Sequence, residues 1–302
     1  MHPLRHHYIP VFYLKRWATE KDGKLCQFSR PFGDQVKPLR VHPSGTGFAD
    51  GLYELQDFPS HLAQQVEENF FRPMDSLAAD ALAHLEANGG DGAWTDRLRS
   101  AWARFIISLW LRCPEDLEAM RELWKEVLTS TSPEDEENYR KTRASENPQT
   151  FSQYLAELPT IELEKSAFET FVGLIDSEKV GQILMNMSWQ VFVFPDQAPP
   201  LFSSDRPIVR TATLDGAESH VAIPISARKL FVAANSRDYM RRAASAPRKQ
   251  LAKEMNRLVV SAASKYVYGE NDRSLAFVQK WIGAKPNSRF LENTLAQLRC
   301  RG

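Results

Sequence analysis

Apolar residues recur at three- and four-residue spacing through the first two thirds of the chain and give way to short β-rich runs near residue 188. Leu62, Val66, Phe70, Met74, Leu77, Ala81 and Leu85 mark a long helix, with Ser60 as its N-cap and Pro73 breaking it near Phe71 and Arg72. Residues 88–92, Asn-Gly-Gly-Asp-Gly, end it. The next helix runs from about Thr95 to Cys113 and is apolar nearly all round through Leu98, Trp102, Phe105, Ile106, Leu109 and Trp110, which places it centrally. Arg104 and Arg112 interrupt its apolar surface. Pro114 stops or bends it, and helix resumes over 115–128. Residues 129–149 have few apolar positions and read as a surface excursion, 150–157 as a small helix, and 161–187 as one further helix.

The N-terminus is unusually aromatic. Pro10 can open a short helix carrying Phe12, Tyr13, Leu14 and Trp17, whose rings must dock on the body. Residues 24–29 and 35–41 predict a hairpin, and 42–60 a loop tethered by Tyr53 and Leu55. After residue 188, the runs 189–194, 201–203, 207–210, 221–225 and 230–233 predict a small, mainly antiparallel sheet. Helix returns over 236–244 and 248–263, followed by a strand at 265–268, a helix at 272–282 and a last helix at 288–298. The fold class is therefore α+β: a mostly helical body with a small antiparallel sheet in the C-terminal half. We read residues 1–302 as a single domain, divisible into a helical body (1–187) and a sheet with basic helices (188–302).

With 43% apolar and 11% aromatic residues in 302, the composition excludes a disordered chain. No apolar run is long enough for a membrane span, and the N-terminus lacks the apolar core of a signal peptide. Cys26, Cys113 and Cys300 are odd in number, far apart and without metal-ligand spacing. These features predict a cytoplasmic protein with reduced thiols and no membrane partner. The balance of 38 Lys and Arg against 38 Asp and Glu hides an asymmetry. Residues 228–302 hold sixteen basic against five acidic side chains, a net +11 offset by −11 in the rest. Such a quarter can meet a polyanion such as nucleic acid, or face the acidic part of its own chain.

Gly-rich phosphate loops, dinucleotide fingerprints, His-Glu-x-x-His and Gly-x-Ser-x-Gly are all missing from the sequence. Two local features remain. Adjacent His6 and His7 point in different directions, so one can join a site as acid, base or ligand while the other caps local structure. In Ser203-Ser204-Asp205-Arg206-Pro207 a strand delivers Asp205 into a turn, where its carboxylate either bonds the turn backbone or faces a site. Three further polar positions sit in apolar surroundings. One of Glu67 and Glu68 can face inward, Arg112 lies on the most buried helix, and Asn256 lies between Met255 and Leu258. A buried guanidinium requires a carboxylate, for which Glu67 and Asp205 are the candidates.

The sequence resembles a bacterial family catalogued as domain of unknown function 4238. The resemblance rests on His6-His7-Tyr8-Ile9-Pro10 with Phe12, Tyr13, Leu14 and Trp17, and on Ser203-Ser204-Asp205 with Pro207. Glu67, Arg104-Phe105, Arg112 with Pro114, Ile223-Pro224-Ile225-Ser226, Asn256 and Tyr266-Val267-Tyr268 extend it over about residues 5–270. Trp17 stands where Phe is usual and Arg206 where Asn is common. The resemblance implies one assembled site built from polar residues dispersed along the chain, and carries no activity.

Two functions fit. In the first, a nuclease-like hydrolase, His6 or His7, Glu67, Arg112 and Asp205 are catalytic. Asp205 and Glu67 hold a divalent ion such as Mg²⁺ or Mn²⁺, and Arg241, Arg242, Arg248, Lys249, Lys253 and Asn256 bind nucleic acid. In the second, a non-catalytic module binds a partner or ligand, and the same residues form a buried structural network.

Overall fold

The aromatic N-terminus docks as its composition requires, and it does so through a strand that periodicity alone does not reveal. In the computed structural model, which describes residues 5–54, 65–129 and 131–285, β1 (Arg5–His7) pairs antiparallel with β4 (Phe48–Asp50). The expected 42–60 loop thus contains a strand; at three residues each, the pair is too short to alternate visibly. Gly47 is the hinge. At φ +66° it sits in the left-handed region, its carbonyl accepts the Tyr8 and Ile9 amides, and a Cβ there would meet the Ile9 carbonyl oxygen at 3.0 Å.

Pro10 then opens α1 (Val11–Leu14), which tightens into a 3₁₀ turn at Lys15–Trp17. The Tyr13 hydroxyl donates to the Pro224 carbonyl at 2.6 Å, and Trp17 Nε1 donates to the Leu201 carbonyl at 2.8 Å. Both buried rings thus spend their polar tips on backbone roughly two hundred residues away, so the N-terminus is fastened to the C-terminal half.

The hairpin forms as predicted from β2 (Leu25–Ser29) and β3 (Lys37–Val41). The helical section follows the periodicity with three corrections. The break near Pro73 is a π-helical turn, Glu67–Phe71, running into α2 (Arg72–Asn88); the predicted N-cap Ser60, together with Leu62 and Leu55, lies outside the described residues. Next come α3 (Asp96–Leu111), capped by Thr95, and α4 (Pro114–Thr129). The expected surface excursion holds a helix, α5 (Pro133–Thr142), with no buried residue. It is specified instead by a Ser132–Asp135 capping box and an acidic first turn, which hydrophobic periodicity cannot register. After α6 (Phe151–Glu157), the single helix expected over 161–187 is two, α7 (Thr160–Ile175) and α8 (Glu178–Asn186), because Ser177 caps a new start.

The C-terminal strands do not all join one sheet. β5 (Ser188–Val193), β7 (Val209–Arg210), β8 (His220–Ser226) and β9 (Lys229–Ala234) form an antiparallel sheet in the order β5-β9-β8-β7. β6 (Ser203–Ser204) instead pairs with β10 (Val267–Gly269), which pairs with β2, giving a second sheet in the order β3-β2-β10-β6. The Ser203–Asp205 corner therefore belongs to a sheet shared with the N-terminal hairpin. Helices α9 (Arg237–Ser245), α10 (Arg248–Ala262) and α11 (Leu275–Trp281) complete the described chain; the helix expected at 288–298 lies outside it.

The architecture is α+β, as expected. The main buried cluster joins Tyr8, Tyr13, Leu82, Trp102, Phe105, Phe231 and Tyr268, so it draws on both halves of the sequence.

Asn256 is buried on α10 and brackets one segment of backbone. Its Oδ1 accepts the Phe202 amide at 2.9 Å, and its Nδ2 donates to the Pro200 carbonyl at 2.8 Å. Asn256→Ala leaves a buried donor and a buried acceptor unmet. The expected loss is roughly 2–4 kcal/mol, read as a lower urea midpoint with an unchanged m-value. A midpoint within error of wild type would refute the bracket.

Candidate functional site

The end of α3 and the start of α4 collect the polar residues. Arg112, wholly buried at 0% exposure, caps α3. Its Nη1 donates to both carboxylate oxygens of Asp75, at 3.0 and 3.2 Å. Asp75 is in the first turn of α2 and keeps 21% of its side chain exposed. The partner expected for Arg112 was Glu67 or Asp205; Asp75 holds that place. Pro73 stands in the first turn of α2 and Asp75 is the acid of that turn, which is where a sequence reading could have found it.

Glu67 lies one element away, on the π turn. Burial raises its carboxyl above the usual range; Asp75 adds to the rise and Arg112 opposes it. Burial also raises Asp75, against the pull of Arg112. Asp75 bonds the guanidinium directly, and Glu67 feels its charge. The π turn also sets Phe71 under the cation, its ring centroid 5.7 Å from the Arg112 guanidinium, with Phe105 at 5.6 Å. Tyr53 stacks on Phe71 at 4.1 Å, and His6 stacks on Tyr53 at 5.3 Å. His6, Tyr53, Phe71 and Arg112 therefore form one continuous pile.

The two histidines part company as adjacent strand residues must. His6 is buried, and its Nδ1 accepts the Tyr53 amide at 2.9 Å, which fixes its tautomer. His7 turns to the other face, edge-on to Phe48. Burial pushes its imidazole toward the neutral form; the Ser44 backbone opposes this, while the charges of Arg112 and Arg5 add to it.

Asp205, 1% exposed, has a different surrounding. Its carboxylate accepts the Ser264, Lys265 and Tyr266 amides at 2.9, 2.5 and 2.8 Å, and its own amide donates to the Tyr266 carbonyl. It closes the loop between α10 and β10. Burial pushes the carboxyl up to about 6, against those three amide donors.

Its connection to Arg112 runs through α4. The Cys113 thiol donates to Glu115 Oε2 at 3.0 Å, and the Ser264 hydroxyl donates to Glu115 Oε1 at 2.8 Å. Arg206 pairs with buried Asp116 at 2.7 Å and lies 3.7 Å from Glu115. Sequence reasoning missed Tyr53, Asp75, Glu115, Asp116 and the role of Arg206. Arg206 departs from the usual Asn of the resemblance, and the acids at 115 and 116 supply its partner.

Several assignments change. Asp205 spends its oxygens on the Ser264, Lys265 and Tyr266 amides of the loop before β10, whereas Glu67 is on the π turn before α2. The pair therefore does not fit as joint ligands of a Mg²⁺ or Mn²⁺ ion. Among the described residues no group of three or more His, Cys, Asp or Glu has a metal-holding arrangement. Asn256 is structural rather than substrate-facing. Arg241 pairs with Asp238, Arg242 with Glu218 at 2.5 Å, and Arg248 donates to the Ala243 and Ala246 carbonyls while covering Phe192. Lys249 and Lys253 are exposed.

An α+β protein with a buried Arg–carboxylate cluster clamped between its N-terminus and a Ser-Asp turn is the class this arrangement defines. The family model described as Protein of unknown function (DUF4238) matches residues 5–273, and the chain belongs to that family. No curated protein and no solved structure matches the chain. No helix among the described residues is long and apolar enough to cross a membrane.

Proposed function

We propose that the chain is a non-catalytic binding module for a small ligand, in which the polar residues of the signature form a buried network. The carrying observation is the use made of Asp205: a buried carboxylate tied to three backbone amides serves as a structural clamp. A polynucleotide backbone requires cations that face solvent along a track. Arg112 is enclosed and Arg248 is spent on the Ala243 and Ala246 carbonyls, while the exposed Arg241 and Arg242 pair with Asp238 and Glu218. The receptive end of the network is then Arg112 with Tyr53 across the Phe71 ring, and the Asp205 end holds the frame.

Incubation with single- and double-stranded DNA and RNA, with Mg²⁺ or Mn²⁺, tests the reading. The expected result is no cleavage by the wild type. Cleavage that is abolished in a folded His7→Ala variant would establish the hydrolase instead.

A further inference from the structure

We propose that the outer face of α10, with the end of α11 and the tip of the β2–β3 hairpin, binds single-stranded nucleic acid. This ligand goes beyond the small molecule of the reading above and does not depend on it. Lys249, Lys253 and Arg257 follow one another at four-residue spacing on α10, which sets them on one face in steps of ~6 Å. The row reaches the end of α11, where the Lys285 amide donates to the Ser261 carbonyl at 3.0 Å and the Gly283 amide to the Val260 carbonyl at 3.2 Å. The Trp281 ring lies beside the row, with the Arg257 guanidinium 5.8 Å and the Lys280 ammonium 5.1 Å from its centroid. Gln279, one residue before Lys280, holds the hairpin: its Oε1 accepts the Val36 amide at 2.7 Å and its Nε2 donates to the Asp34 carbonyl at 3.0 Å. Two residues before Asp34, the Phe32 ring is 85% exposed.

The charge of this face is uncompensated. Arg257 is held by Glu254 at 3.0 and 2.5 Å, so it brings a flat stacking surface and no net charge. Lys249, Lys253, Lys280 and Lys285 are exposed, and no carboxylate pairs with them among the described residues. Residues 286–302 hold three arginines against one acid, so the end of the chain does not cancel those four charges. A row of cations at regular steps suits a polymer whose negative charges also repeat, whereas a lone anion engages one or two of them. Rings set among the cations select the form of that polymer. A single strand offers unpaired bases to Phe32 and Trp281, which a duplex keeps stacked inside.

Fluorescence anisotropy of the full chain with labelled oligo-dT and oligo-U of about twelve nucleotides, and with a duplex of equal length, tests the proposal. The expected result is saturable binding of the single strands, with half-saturation between about 1 and 100 µM and the duplex weaker. The logarithm of affinity should fall against that of salt with a slope of about −3, from about 0.7 for each of four lysines. Lys249→Ala with Lys253→Ala should make the slope shallower by about 1.4. Phe32→Ala should weaken single-strand binding at least about fivefold and leave the slope unchanged. All three positions are exposed, so an unchanged Tm confirms that the variants are folded. The proposal is overturned by no binding up to ~100 µM protein, by duplex bound as tightly as single strands, or by affinity and slope unaltered in the variants. It is equally overturned by tighter binding to phosphatidylserine vesicles than to the oligonucleotides, or by salt-sensitive self-association of the chain without oligonucleotide binding.

Discussion

Arg112→Met should lower the stability of the fold by about 3–5 kcal/mol, the cost of breaking a buried ion pair from one side. Arg112 is fully enclosed and its carboxylate partner Asp75 is mostly so; without the guanidinium, Asp75 is left facing Glu67 with no cation between them. Two ring contacts, with Phe71 and Phe105, go at the same time. If the pair is the cause, Arg112→Met combined with Asp75→Leu should recover most of the loss, because the second change removes the stranded charge. Urea denaturation of the four proteins in the cycle reads the coupling directly. Additive losses would mean that Asp75 is not the partner that matters.

Asp205→Ala should cost roughly 3 kcal/mol at neutral pH, since the Ser264, Lys265 and Tyr266 amides lose their acceptor together. The loop between α10 and β10 is the part expected to loosen. The same carboxyl gives a pH signature. Its folded-state value, about 6, lies above its ordinary 3.8. Its contribution to stability is therefore complete below about pH 3.8 and is lost as pH rises through about 6. Asp205→Asn cannot ionise and lacks this slope. The stability difference between wild type and Asp205→Asn should shift against the wild type by roughly 3 kcal/mol between pH 4 and pH 7. A difference that stays flat over that range would show that the three amides, rather than burial, govern the group.

The helical half of the fold was legible because its helices bury a stripe: Leu98 to Trp110 announces α3, and Met74 to Leu85 announces α2. Helix α5 escaped because a capping box specifies it and no apolar face does. The β1–β4 pair escaped because three residues cannot display alternation, and β6 went to an unexpected sheet because two residues carry no pairing preference of their own. At the site, the sequence identified Arg112 and Asp205 as polar residues in costly places. It could not pair them, since partner choice is set by where α2 and the loop after α10 pass in space. The turn reading of Asp205 does not hold: its carboxylate ties a distant loop, and it is the Ser204 hydroxyl that accepts an amide, that of Arg206, within the turn itself. His6 and His7 diverge as alternating strand positions require, one accepting a backbone amide and one carrying an unmet nitrogen.

Hydrogen exchange of the Ser264, Lys265 and Tyr266 amides, followed by ¹H–¹⁵N spectra of the wild type and Asp205→Ala, tests the clamp most directly. The three amides are expected to exchange slowly in the wild type and to lose that protection together in the variant, while the amides of α3 keep theirs. Fast exchange of all three in the wild type, or protection unchanged in the variant, would contradict the clamp.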